Sequence, residues 1–330
     1  MQYRKFGNTD LNVSEVGFGA WAIGGPAMAG NMPIGWGRTD DAISIKALKK
    51  ALDVGINFFD TADFYGFGHS EELIGKTFAN RPDVIVATKV GQKLAPDGQV
   101  AIDYSPGYVV AACEMSLRRL RRSHIDFYQL HTAKVAHIRE DELIGTLENL
   151  QQQGKIRYWG VSLNTFQPEP EAEFCLENKL GRGFQVVLNL LNQRISPFLR
   201  LIKEQNLGLI ARMPLQFGLL AGKFRSDAKF DEYDHRSFRL SPQIIEATWS
   251  ALRDLEGLTR EYDLSFADLA INYILSHPEV STVIPGMRSP EQVTANVRKR
   301  VNLARKDLDY IGELYDEKFY KITNMMQAQG

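Results

Sequence analysis

The sequence predicts an α/β fold, a (β/α)8 TIM barrel, on two observations. Eight short β-branched or apolar runs recur along the 330 residues, and longer helix-like segments separate them. That alternation is typical of a parallel sheet covered by helices, and eight strands close such a barrel. The predicted strands are, in order, 16–21, 56–59, 84–88, 127–130, 158–161, 185–188, 207–212 and 282–284.

The segments between these runs carry helix start signals. Two consecutive aspartates predict a helix over 41–53, and Ser70 followed by two glutamates predicts one over 70–79. Ser289 followed by proline predicts a third over 290–300. Each helix falls between two predicted strands, as a barrel requires.

Three glycines stand between a predicted helix and the next strand. Gly55, Gly154 and Gly208 occupy positions at which a residue with positive φ commonly reverses the chain after a helix. We therefore expect all three to adopt that conformation.

Four segments extend the bare barrel. A hairpin is expected before the first strand, two loop insertions over 22–37 and 213–262, and an added amphipathic helix over 307–320. Long connections in compact domains are commonly lids or binding loops, so the insertions are predicted to shape the active site. No linker separates two halves, and a single domain, 1–330, is predicted.

Composition narrows the class of protein. With 44% hydrophobic and 24% charged residues and a net charge of −1, the chain has the material for a core but no basic surface for nucleic acid or an anionic membrane. Cys113 and Cys175 lie far apart, which argues against a disulfide framework or a metal site. Since no signal peptide or membrane-spanning run is present, a cytoplasmic location is expected.

Four polar residues follow apolar runs and are candidate catalytic groups. They are Asp60 and Tyr65 in INFFDTADFYG, Lys89 in VIVATKVG and His131 in FYQLH. A barrel gathers the C-terminal ends of its strands at one mouth, so these side chains are expected to converge there.

The four groups are chemically complementary. A phenol titrates near ~10, and a neighbouring ammonium favours the phenolate and makes the phenol a better acid. A buried lysine needs a counter-charge, which Asp60 can supply, and His131 can orient a substrate oxygen. Taken singly, each residue has an ordinary structural explanation, such as an ion pair or a packed aromatic ring.

Two further segments resemble a phosphate site. In TVIPGMRSPEQVTAN, residues 282–296, a strand ends, Gly286 allows close approach of the backbone, Arg288 adds a positive fork and a helix starts. The loop MPLQFGLLAGKF, residues 213–224, follows the preceding strand and offers Lys223 for a pyrophosphate. Barrels commonly place phosphates after their last strands.

The chain resembles the aldo-keto reductase family over almost its whole length, from YRKFGNTDLNVSEVGFGAW to PGMRSPEQVTAN. The family pattern GxNxxDTAxxYGxGxSExxxG matches residues 55–75, and the segment around Gly286 is similar to the bacterial and potassium-channel β-subunit branches. The resemblance implies a catalytic tetrad of Asp60, Tyr65, Lys89 and His131, in which tyrosine protonates a carbonyl that receives hydride.

The resemblance also implies NADPH as cofactor, with Ser162 and Gln185 on the nicotinamide carboxamide and Arg288 and Gln292 on the 2′-phosphate. Leu188 stands where a tyrosine usually stacks under the nicotinamide, which removes ~1 kcal/mol of stacking. Leu163 also separates Ser162 from the asparagine that often follows directly. The implied cofactor contacts are Gly19, Ala20, Trp21, Asp60, Ser162, Asn164, Gln185, Leu188, Pro214, Leu215, Gly218, Leu220, Gly222, Lys223, Gly286, Arg288, Gln292 and Asn296.

The leading interpretation is thus an NADPH-dependent reductase of aldehydes or ketones. One alternative is an NADPH-sensing regulatory subunit with little turnover, resembling the channel β subunits. Another is an isomerase that binds a substrate phosphate at residues 282–296.

Overall fold

Eight parallel strands form one sheet in the computed structural model, which describes residues 1–329. Parallel bridges join Val16 to Val283 and Gly19 to Gly286, so the first strand of the sheet meets the last and the predicted barrel closes. In sheet order the barrel strands are β3 (Phe18–Gly19), β6 (Phe58–Asp60), β7 (Ile85–Val90), β10 (Ile125–His131), β11 (Ile156–Ser162), β12 (Gly183–Val187), β13 (Gly208–Arg212) and β14 (Thr282–Ile284).

Three antiparallel hairpins lie outside the eight-stranded sheet. The predicted N-terminal hairpin closes the bottom, where Phe6 packs edge-on against Phe127 with ring centroids 4.9 Å apart. Because this end is filled by apolar side chains, the polar strand ends face the opposite mouth. The hairpins are β1 (Tyr3–Lys5) with β2 (Asn12–Ser14), β4 (Met28–Ala29) with β5 (Met32–Pro33), and β8 (Gln92–Leu94) with β9 (Val100–Ile102).

Helices surround the sheet, and the apolar strands are buried between the helices and the barrel interior. They are α1 (Asp41–Asp53), α2 (His69–Phe78), α3 (Pro106–Leu120), α4 (Val135–Ile138), α5 (Asp141–Gln152), α6 (Glu169–Asn178), α7 (Leu199–Glu204), α8 (Arg236–Arg239), α9 (Pro242–Leu252), α10 (Glu256–Glu261), α11 (Phe266–Leu275), α12 (Pro290–Asn296), α13 (Arg305–Leu314) and α14 (Tyr320–Gln329).

Two predicted boundaries were wrong. The first barrel strand ends at Gly19, not Trp21, and a 3₁₀ turn, Ala20–Gly24, follows at once. The helix predicted over 290–300 ends at Asn296. Beyond it the side chain of Asn272 hydrogen-bonds Lys299 O and Val301 N at 2.9 and 2.8 Å, and residues 299–304 form neither helix nor strand.

The glycine predictions held at two positions and failed at one. Gly55 and Gly154 have φ of 91° and 70°, whereas Gly208 has no positive φ and Asn206 adopts the left-handed conformation instead, at 54°. Gly208 is needed for another reason, because a Cβ there would lie 2.3 Å from the ring of Phe6. The absence of a side chain at Gly208 leaves room for the Phe6 ring at the bottom of the barrel.

The two insertions are more ordered than loops. Residues 22–37 contain β4 and β5, and residues 213–262 contain α8, α9 and α10. The predicted tail helix is longer than 307–320: α13 continues through a π turn, Tyr315–Phe319, into α14. Among the described residues, no helix combines the length and hydropathy needed to cross a membrane.

Candidate active site

Four polar side chains meet at the mouth of the barrel. Asp60 ends β6, His131 ends β10, Lys89 lies near the end of β7, and Tyr65 opens the 3₁₀ turn after β6. Lys89 Nζ donates hydrogen bonds to Asp60 Oδ2 at 2.6 Å and to Tyr65 Oη at 3.1 Å. The rings of Tyr65 and His131 are nearly perpendicular, with centroids 5.9 Å apart. The structure brings all four predicted residues together.

A buried ion pair lies at the base of this site. Lys89 is 0% and Asp60 2% exposed. The other carboxylate oxygen, Asp60 Oδ1, accepts hydrogen bonds from Gln129 Nε2 at 3.0 Å and Gln185 Nε2 at 2.7 Å. Burial alone would lower the pKa of the Lys89 ammonium, but Asp60 and Tyr65 outweigh that effect and raise the pKa above its usual value. The lysine therefore stays charged beside the phenol.

His131 is a neutral imidazole in this environment. Burial first, and then the positive charges of Lys89 and Arg212, hold the pKa of His131 well below its usual value. Its Nδ1 atom is buried and has no hydrogen-bond partner within the described chain. A neutral ring can donate one hydrogen bond and accept another, so it is suited to orient an uncharged carbonyl oxygen.

A tight backbone contact positions Tyr65. Gly66, the next residue, has φ of 60°, and a Cβ there would lie 2.1 Å from Gly24 O. Only glycine fits both the conformation and the contact. The ring of Tyr65 also lies nearly parallel to that of Trp21, with centroids 5.9 Å apart. The contacts with Gly24 and Trp21 fix the position of the phenol relative to Lys89.

An aromatic cluster flanks the phenol. His235, from the second insertion, stacks on Trp21 with ring centroids 4.5 Å apart, and its ring also contacts Trp36 at 4.7 Å and Phe217 at 4.8 Å. His235 N donates to Gly35 O at 3.0 Å, so the two insertions are joined over the mouth. This cluster forms an apolar wall beside Tyr65.

His235 is itself a buried polar group. Neither of its ring nitrogens has a hydrogen-bond partner within the described chain. Burial, followed by the positive charge of Arg239, lowers the pKa of His235 to about 3. The imidazole is therefore neutral at neutral pH.

The predicted nicotinamide contacts lie on neighbouring strands. Ser162 pairs with Gln185 in the parallel register of β11 and β12, and both are buried. Gln185 Oε1 has no partner, so this buried oxygen can accept the N–H of a carboxamide. Asn164 Oδ1 already accepts the N–H groups of Phe166 and Gln167, each at 3.0 Å. Leu188 is fully buried in the hydrophobic core.

The two predicted phosphate loops lie side by side, because β13 and β14 are paired. Arg288 N donates to Gln292 Oε1 at 2.8 Å, and the Arg288 guanidinium reaches Trp36 O at 3.4 Å. Gly286 is exposed and open on its Cβ side, and Lys223 is exposed in the companion loop. The other members of these loops are Pro214 and Leu220, which are buried, and Leu215, Gly218, Gly222 and Asn296, which are partly exposed. Gly19, followed by Ala20, bridges to Gly286.

Three residues of the mouth were missed from the sequence. Gln129 lies two positions before His131, and strand residues two apart face the same side, so alternation was a usable signal. Arg212 ends β13, and the strand-end argument applied to the tetrad would have found it. His235 had no such signal, because its place depends on how the second insertion folds.

Comparisons with known proteins agree with this geometry. The chain is 32% identical to the uncharacterised oxidoreductase YqkF of Bacillus subtilis, covering 90% of each protein, and 29% identical to L-glyceraldehyde 3-phosphate reductase of Escherichia coli K12, covering 92% and 88%. It superposes on the glycerol dehydrogenase AKR11B4 of Gluconobacter oxydans with a TM-score of 0.79 at 31% identity, covering 96% of each. Residues 15–316 match the model of the Aldo/keto reductase family. The chain belongs to that family and is an NAD(P)H-dependent oxidoreductase.

Proposed function

We propose that this protein reduces the carbonyl group of a small aldehyde, using NADPH, with Tyr65 as the proton donor. The observation that carries the proposal is the placement of Lys89 Nζ, 3.1 Å from Tyr65 Oη and 2.6 Å from Asp60 Oδ2. When Tyr65 gives its proton to the substrate oxygen, the phenolate that remains is stabilised by the adjacent ammonium. The carboxylate keeps that ammonium charged in a buried site.

NADPH supplies the hydride when bound, and this chain's residues orient it. Gln185 Oε1 and the Ser162 hydroxyl are proposed to bind the carboxamide, which would satisfy the unpartnered oxygen of Gln185. Arg288 and Gln292, on the loop after β14, are suited to the 2′-phosphate that distinguishes NADPH from NADH. His131, as a neutral ring, is proposed to donate a hydrogen bond to the substrate oxygen.

The substrate is proposed to be a short, hydroxylated carbonyl compound. The names of the relatives, a glycerol dehydrogenase and an L-glyceraldehyde 3-phosphate reductase, point to three-carbon hydroxylated substrates. A cytoplasmic location and a single domain over residues 1–330 are part of the proposal, and both free cysteines, Cys113 and Cys175, are compatible with a reducing compartment.

Tyr65→Phe tests the proposal. The variant should bind NADPH as the wild type does, because the phenol oxygen is not among the proposed cofactor contacts, and should lose roughly 10²–10⁴-fold in kcat for aldehyde reduction. Tyr310→Phe is the matched control, since its hydroxyl bonds Asp254 O on the outer helices. Steady-state rates with a panel of aldehydes, together with fluorescence titration of NADPH, give both readouts. Turnover near the wild-type rate in Tyr65→Phe would refute the assignment.

A further inference from the structure

Arg212 is a cation at the barrel mouth with only neutral hydrogen-bond acceptors. Its guanidinium donates to Leu163 O at 3.1 Å, Thr165 Oγ1 at 3.0 Å and Met213 Sδ at 3.1 Å. Its Nε atom is buried without a partner, and no acid of residues 1–329 forms an ion pair with it within 4.0 Å. Arg212 as a whole is partly exposed, but charged groups that are partly removed from water are normally paired with an opposite charge, and this one is not.

The guanidinium lies over the strand ends that carry the proposed carboxamide contacts. Arg212 pairs with Val187 of β12, two residues beyond Gln185, and reaches across that strand to the carbonyl of Leu163, the neighbour of Ser162. The strands β11, β12 and β13 are consecutive in the sheet. The arginine therefore borders the space in which a nicotinamide held by Ser162 and Gln185 would lie.

Arg212 is also electrostatically coupled to the reacting groups. Burial lowers the pKa of Arg212, and the neighbouring Tyr65 and Asp60 groups oppose that shift. In turn, its positive charge contributes to the lowered pKa of His131. The positive charge of Lys89 is balanced by Asp60 at 2.6 Å, whereas no acid balances that of Arg212 in the same way.

A nicotinamide ring carries a positive charge when it is oxidised and none when it is reduced. A fixed cation beside the ring therefore disfavours the oxidised cofactor through direct repulsion, which is strong in a partly buried site. The adenine, ribose and phosphate groups are the same in both forms, so contacts to them cannot discriminate.

We propose that Arg212 discriminates between the two oxidation states of the cofactor, weakening the binding of NADP⁺ relative to NADPH so that the enzyme is loaded with the reduced form. This inference rests on the proposed function, because it requires the nicotinamide to lie between Ser162, Gln185 and the guanidinium. It assigns Arg212 a role in cofactor selection that is separate from proton transfer.

Dissociation constants for NADPH and NADP⁺, measured by quenching of tryptophan fluorescence at pH 7, test the inference. In Arg212→Met the ratio Kd(NADP⁺)/Kd(NADPH) should fall at least ~10-fold, mainly through tighter NADP⁺ binding, since two unit charges within roughly 12 Å of each other repel by at least that factor at an effective dielectric constant near ~20. Arg212→Lys retains the charge and should keep most of the ratio. Arg288→Met is the contrast, since it should weaken both cofactors by a similar factor.

The outcomes separate the two proposals. An unchanged ratio in Arg212→Met, with both cofactors still bound and native circular dichroism, overturns the inference and leaves the proposed function standing. An unchanged ratio with a raised KM for anionic aldehydes overturns it equally, because the guanidinium would then bind the substrate. If the wild-type protein binds neither cofactor, the proposed function itself fails. If Kd(NADP⁺)/Kd(NADPH) is lowered in Arg212→Met but stays near the wild-type value in Arg212→Lys, the positive charge is the cause.

Discussion

Replacing Lys89 with methionine tests whether the ion pair at the base of the site is needed for folding as well as chemistry. Methionine occupies a similar volume, so little of the effect comes from a cavity. The change leaves Asp60, which is 2% exposed, as a desolvated charge without its partner at 2.6 Å. Breaking a buried pair on one side typically costs ~3–5 kcal/mol. We expect the free energy of unfolding of Lys89→Met to fall by that amount.

The double variant Asp60→Asn/Lys89→Met isolates the charge. The amide oxygen of the asparagine introduced at position 60 can still accept the hydrogen bonds that Gln129 and Gln185 donate to Asp60 Oδ1 in the wild type, but the variant has no buried charge. It should therefore recover at least ~2 kcal/mol relative to the single variant. Lys93→Met is the matched control, because its partner Asp103 forms a partly exposed pair worth under ~1 kcal/mol.

Urea denaturation followed by fluorescence and circular dichroism measures these differences at constant m-value. The reasoning is refuted if Lys89→Met loses less than ~1 kcal/mol, or if the double variant is no more stable than the single one. Both variants that lack the Lys89 ammonium should also lose reductase activity, because the phenolate of Tyr65 would lose the positive charge that lies 3.1 Å away in the wild type.

Three further predictions follow from burial. The pKa of His235 is about 3 in the folded protein and near ~6.5 in the unfolded chain, so the unfolded chain binds a proton more readily and the free energy of unfolding should fall by ~2 kcal/mol as pH drops from 7 to 5. In His235→Phe this loss of stability, measured by urea denaturation at both pH values, should be smaller. If the loss is the same in the variant and the wild type, His235 is not a neutral buried imidazole. Gly208→Ala should lower the free energy of unfolding by ~1–3 kcal/mol through its clash with Phe6, with partial recovery in combination with Phe6→Leu, whereas wild-type stability would contradict the close contact. Burial raises the pKa of the Cys113 and Cys175 thiols to about 12, so neither should react with iodoacetamide at pH 8 until the protein unfolds; rapid labelling of the native protein would argue against their burial.

Strand ends were the most informative part of the sequence. The apolar runs located all eight barrel strands to within a few residues, and Asp60, Lys89 and His131 could be placed because each follows or ends a run that a parallel barrel brings to one mouth. Helix starts were also well predicted, as at Asp41, because N-terminal signals are local.

Local signals failed where a distant segment decides the conformation. Gly208 has no positive φ because its role is to accommodate Phe6, which comes from the other end of the chain. The helix after Ser289 stops early because Asn272, on a neighbouring helix, binds the backbone that follows. Neither partner can be identified from the residues around the position it controls.

The amino-acid sequence by itself determined the alternation of strands and helices, and therefore the barrel and the side chains at its mouth, because hydrophobic period and strand order are properties of the chain alone. Only the tertiary structure decided that no acid pairs with Arg212 and that the ring of His235 stacks on Trp21. Both features depend on which segments, far apart in sequence, the folded chain brings next to Arg212 and Trp21.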